Sequence, residues 1–165
     1  MKRKKWNLLT WILNLMNNFF FKYMQKRLAK HGIAFHETRS LLTKGKADTK
    51  IKADLKFLNN EVKKHELKMM NIIKKFTDEQ LQMNINLNYR DNNYLINLIE
   101  FAAFIKNEAL YRYLSEKHLK SDNIEFFLNK HLLSGSYDDA NKIRNLIEKH
   151  HVQTDDIIEQ MINFN

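Results

Sequence analysis

The chain contains no cysteine, no proline and no acidic residue before Glu37, and it has only three glycines, Gly32, Gly45 and Gly135. Without cysteine there is no disulfide, no zinc–thiolate site and no thiol nucleophile. Without proline, and with glycine so rare, the tight turns and bulges of β-sheets lack their usual residues, so the expected fold class is all-α. Three scattered glycines cannot build a phosphate-cradling loop. A long hydrophobic run is also missing. A membrane-spanning helix wants roughly 20 apolar residues, whereas the uncharged stretch Trp6–Phe21 has 16 residues and four of them are asparagine.

What is present is basic charge, unevenly placed. Residues 1–36 carry eight Lys/Arg and no acid, residues 37–75 carry eleven against five Asp/Glu, and residues 76–165 carry nine against fourteen, within a net charge of +9 over 165 residues. An electrically two-halved molecule points to an anionic partner for the first half, or to docking of the basic half on the acidic half. The polyanion-contact positions expected on this basis are Lys2, Arg3, Lys4, Lys5, Lys26, Arg27, Lys30, Lys44, Lys46, Lys50, Lys52, Lys56, Lys63 and Lys64.

The periodicity predicts a helix from about Trp6 to Lys30, with Asn7, Thr10, Asn14, Asn17, Asn18, Lys22 and Gln25 in one polar stripe and apolar residues elsewhere. Lys26, Arg27 and Lys30 suit the end of such a helix, and Gly32 is placed to stop it, with a short helix expected between Gly32 and Gly45. A long helix is expected from an Asp48 or Thr49 cap to Phe76, with Ile51, Leu55, Leu58, Val62, His65, Met69, Ile72 and Phe76 in a heptad seam. Thr77–Gln80 reads as a capping box. Short helices are expected at about 93–106, 108–119, 123–133, 137–150 and 155–163, with caps at Asp122, Ser136 and Thr154. Three parts follow: a basic apolar docking helix with a short connector (1–45), a long basic helix (46–76) and an acidic array of short antiparallel helical hairpins (77–165).

A shift of 32 residues pairs Arg112, Leu114, Glu116, Lys117 and His118 with Arg144, Leu146, Glu148, Lys149 and His150, and Tyr94, Leu95, Ile96 and Phe101 with Phe126, Phe127, Leu128 and Leu133. "AAFIKNEALYRYLSEK", Ala102–Lys117, resembles the two-helix part of an ankyrin repeat, with paired small residues, a polar turn and a second helix ending in an aromatic–Leu pair. The Thr-Pro-Leu-His element is absent, and Lys106 and Asn107 stand near the place of the turn glycine. Over residues 89–152 the resemblance implies protein–protein binding without catalysis.

The chemistry-bearing residues do not assemble into a catalytic set. His31 and His36 lack the four-residue spacing of a helical zinc pair, and Glu148 to His151 is one Glu-x-x-His without the second copy a di-iron bundle needs. Asp138, Asp139, Asp155 and Asp156 fall in first turns of helices, where carboxylates favour exposed amides. His65 is expected neutral and hydrogen-bonded at the core edge. No enzyme activity, metal or cofactor is expected.

The opening stretch Met1–Arg27 admits several readings. A secretory signal would want a small-x-small cleavage site, and a mitochondrial presequence less apolar bulk. A span, an interfacial helix, and a helix buried against the rest of the chain or a partner all remain. The expectation adopted is a docking helix, through Trp6, Trp11, Phe19, Phe20 and Phe21. The chain is therefore expected to be an intracellular, membrane-peripheral interaction or adaptor protein. Its C-terminal array would bind a protein partner, and its basic half would dock on an anionic membrane surface or a larger assembly. The alternative is a nucleic-acid-associated protein, either a ribonucleoprotein subunit or a small DNA-binding accessory factor.

Overall fold

A computed structural model describes residues 2–47, 52–132 and 136–149. The first element, α1, is one uninterrupted helix of 46 residues, Lys2–Ala47. Gly32 does not stop it. A Cβ at that position would lie 2.2 Å from Cζ of the Phe101 ring, so the glycine is there to let a fully buried phenylalanine reach the helix backbone. The expected break and connector helix are thus replaced by continuous helix through both Gly32 and Gly45.

Helix α2 (Lys52–Ile73) lies against α1. The two run antiparallel, as Phe21 meets Phe76 with ring centroids 5.0 Å apart while His31 meets His65. The seam residues Val62, Met69, Ile72 and Phe76 are buried and Leu55, Leu58 and His65 half-buried, as heptad spacing requires of a helix packed along one side. The cap proposed at Asp48 or Thr49 lies outside the described residues, as do Ile51, Lys50, Thr154 and the helix expected at 155–163.

The capping box at Thr77 is formed. Its hydroxyl accepts from the Gln80 amide at 3.2 Å and its own amide donates to Gln80 Oε1 at 3.1 Å, opening the one-turn helix α3 (Asp78–Leu81). A β-hairpin follows where the start of a helix was expected at about 93. Strand β1 (Ile85–Tyr89) pairs antiparallel with β2 (Asn92–Ile96), with Ile85 opposite Ile96 and Tyr89 opposite Asn92. Ile85, Leu87 and Tyr89 alternate inward against α1, with asparagines outward. The two-residue turn uses Arg90 (φ 47°) and Asp91 (φ 62°) in the left-handed region, so it is made without the glycine whose scarcity argued against strands. Among the described residues the chain is predominantly helical around this hairpin.

Helices α4 (Leu98–Phe104), α5 (Glu108–Glu116), α6 (Ile124–Asn129) and a further helix over residues 137–149, α7, complete the described chain. Every residue of α4 is buried, and it packs on both α5 and α6. Helix α6 begins at an Asn123 cap without a side-chain cap bond, so Asp122 does not cap it. Asp139 does more than favour a helix start. It takes a two-pronged ion pair from Arg39, both contacts 2.8 Å, which ties α7 to α1 across 100 residues of chain. The 32-residue self-similarity pairs Tyr94–Ile96 in a strand with Phe126–Leu128 in a helix, so this part of the pattern is not one repeated structure.

Candidate docking surface

The core takes hold of α1 only from Phe21 onward. Phe21, Met24, Leu28, Ala29, Phe35, His36, Ser40 and Leu42 are buried. Before them, residues 8–20 are exposed without exception. Residues 2–20 thus form an arm about 28 Å long that runs past the end of α2 and past Phe76 in the turn after it, against which Phe21 packs. Phe19 is 78% exposed, Leu9 64%, Met16 63% and Trp11 59%. Side chains this apolar, left uncovered on consecutive turns of one helix, make this stretch the candidate docking surface. Leu15, Met16, Phe19, Phe20 and Tyr23, with Asn18 and Lys22 at the edge, line a shallow open depression on this side of α1.

Of the five docking residues expected from sequence, Trp11, Phe19 and Phe20 are on this surface. Trp6 lies within α1, in the arm. Phe21 is not on this surface: it is 4% exposed and packs edge-on against Phe76 at the base of the arm. Sequence reasoning centred on aromatics passed over Leu8, Leu9, Ile12, Leu13, Leu15 and Met16, all exposed. Their position on the side opposite the asparagine stripe was the available signal.

The cations fall into two sets. Lys2, Arg3, Lys4 and Lys5 occupy the first turns of α1, while Lys26, Arg27, Lys30 and Lys44 are exposed farther along it. Lys46 lies in the last turn of α1 and Lys52 opens α2, where Lys56, Lys63 and Lys64 are exposed. Lys64 is partly engaged by Glu61, 2.9 Å away.

At the α1–α2 contact, the Nδ1 atoms of His31 and His65 are 3.1 Å apart, one donating and the other accepting. Both imidazoles titrate below the ordinary histidine value. Burial is the main cause, followed for His31 by the charges of His65, Lys68, Arg27 and Lys30. Deeper in, His36 is 3% exposed and its Nε2 has no hydrogen-bond partner among the described residues, and burial lowers its pKa to about 4. Lys106, also in the left-handed region (φ 55°), buries its ammonium among the carbonyls of Phe104 (2.8 Å), Phe127 (3.4 Å) and Lys130. Burial pulls this lysine down to about 7. Through these three carbonyls it ties together the C-terminal ends of α4 and α6.

Among the described residues there is no group of three or more His, Asp or Glu placed to hold a metal ion, and no helix long and apolar enough to cross a membrane. His151, the partner considered for Glu148, lies outside the described residues. The chain matches no family model, no curated protein and no solved structure.

Proposed function

We infer that this is a non-enzymatic interaction protein that docks on an anionic surface through the arm of α1. The observation carrying this reading is the uncovered apolar surface of residues 8–20, set between the cations of residues 2–5 and those of Lys22, Lys26, Arg27 and Lys30 with no acid in that span. Apolar contact supplies affinity, and the flanking positive charge selects a negative acceptor. The acidic remainder, residues 77–149, forms the other side of the adaptor: a cluster of short helices and a hairpin facing a protein partner, with Met83, Leu95, Phe126 and Tyr137 as its exposed large apolar side chains.

The test compares the whole chain with a chain lacking residues 1–20 for binding to duplex DNA, RNA and anionic vesicles. The arm is required for binding to at least one of these surfaces under this reading. Equal binding by both chains, or none by either, overturns it.

A further inference from the structure

The docking reading leaves open what the anionic surface is made of, and the register of α1 narrows it. At about 100° per residue, Leu8, Leu9, Ile12, Leu13, Leu15, Met16, Phe19, Phe20 and Tyr23 fall within roughly half of the helix circumference, while the exposed Trp11 lies outside it, beside Asn18. Farther along the same helix, the same half carries Lys26, Arg27, Lys30, Leu41 and Lys44, all exposed, with Glu37 as its one acid there. The other half carries the buried residues Phe21, Met24, Leu28, Ala29, Gly32, Phe35, His36, Ser40 and Leu42, and in the arm it carries Thr10, Trp11, Asn14, Asn17 and Asn18. The body therefore hangs from the side of α1 opposite to the apolar side of the arm. One flat surface can meet the arm's apolar side and the basic row of the body together, without the body in the way.

We propose that the acceptor is an anionic phospholipid bilayer and that α1 lies in its plane, with the arm's apolar half sunk among the acyl chains and Lys26, Arg27 and Lys30 on the headgroups. Phosphates of a nucleic acid would engage the cations but offer nothing to Leu9, Met16 and Phe19. A lipid interface matches both, an apolar layer beneath a negative one. The uncharged stretch is too short and too rich in asparagine to cross. The proposal rests on the arm being the docking element, and the test separates the two.

The full chain is sedimented with vesicles of phosphatidylcholine alone and of phosphatidylcholine with about one-third phosphatidylserine. Expected is binding to the anionic vesicles that weakens between about 50 and 200 mM salt as the cations are screened, down to a remainder held by the unscreened apolar part. Joint neutralisation (Lys26→Gln, Arg27→Gln, Lys30→Gln) is expected to weaken anionic-vesicle binding on the order of 100-fold, and Lys117→Gln with Lys120→Gln to leave it unchanged. Phe19→Ser and Phe20→Ser, at sites exposed in the free protein, should each cost about tenfold. The native chain has no cysteine, so single spin labels report orientation cleanly. A label at Met16→Cys should become shielded from an aqueous relaxant on vesicles, while one at Asn14→Cys stays accessible. Shielding of both labels means a spanning helix and overturns the in-plane assignment. Arm-dependent, steeply salt-dependent RNA or DNA binding with no binding to either vesicle overturns the lipid assignment and leaves the docking reading standing, whereas arm-dependent self-association with no binding to vesicles or nucleic acid overturns both. Vesicle binding indifferent to Phe19→Ser and Phe20→Ser overturns both.

Discussion

Gly32 shows how a residue's role can depend on a partner far away in sequence. Read locally, a glycine after Lys26, Arg27 and Lys30 ends a helix. In the fold, Phe101 of α4 fills the space where its Cβ would be, 2.8 Å or less from two ring carbons. Gly32→Ala is expected to destabilise the protein by about 1–3 kcal/mol through forced repacking, read as a lower denaturant midpoint with unchanged slope. The capping box at Thr77 was legible because all its atoms lie within four residues. The Arg39–Asp139 pair was not, because nothing local distinguishes those two residues from other charges. His36 gives a pH signature. Its folded-state pKa is depressed from 6.5 to about 4, so the unfolded chain binds the extra proton throughout that window. Its contribution to stability is fully present above pH 6.5 and is lost as pH falls towards 4, about 3 kcal/mol in all. His31, His65 and His131 are shifted in the same direction. Urea titrations at pH 7 and 4.5 should show the loss, and His36→Phe should reduce it.

For the elements, the decisive boundary lies inside α1, between Phe20 and Phe21. Periodicity identified a helix there but not its end, because both the arm and the body segment have a polar side and an apolar side. What changes at Phe21 is which side has a neighbour. Deleting residues 1–20 should leave the thermal midpoint within a few degrees of the full chain. Deletion to residue 30 removes Phe21, Met24, Leu28 and Ala29 from the core and should unfold it. Circular dichroism melts of the two truncations distinguish a free arm from a core helix. The hairpin escaped the sequence reading because its turn is built from Arg90 and Asp91, neither of which signals positive φ as glycine would. Asp91→Gly should relieve that conformation and raise stability by about 0.5–1 kcal/mol, measured by the same denaturant titration.

Across the whole molecule, the division of charge acquires a direction. The basic row of α1 looks away from the core, and the acidic later helices pack on its other side, joined by Arg39 to Asp139. Some of the asymmetry is thus neutralised within the fold, but Lys26, Arg27, Lys30 and Lys44 remain exposed beside an apolar arm. This arm stands free of the core, and on the proposal above a bilayer covers it. Hydrogen–deuterium exchange of the intact chain, with and without phosphatidylserine-containing vesicles, tests this claim most directly. In the free protein, peptides spanning residues 8–20 should exchange far faster than those spanning 24–42, and vesicles should slow the first set while leaving the second unchanged. Equal protection of both sets in the free monomer, or fast exchange of residues 8–20 that vesicles do not slow, would contradict the claim.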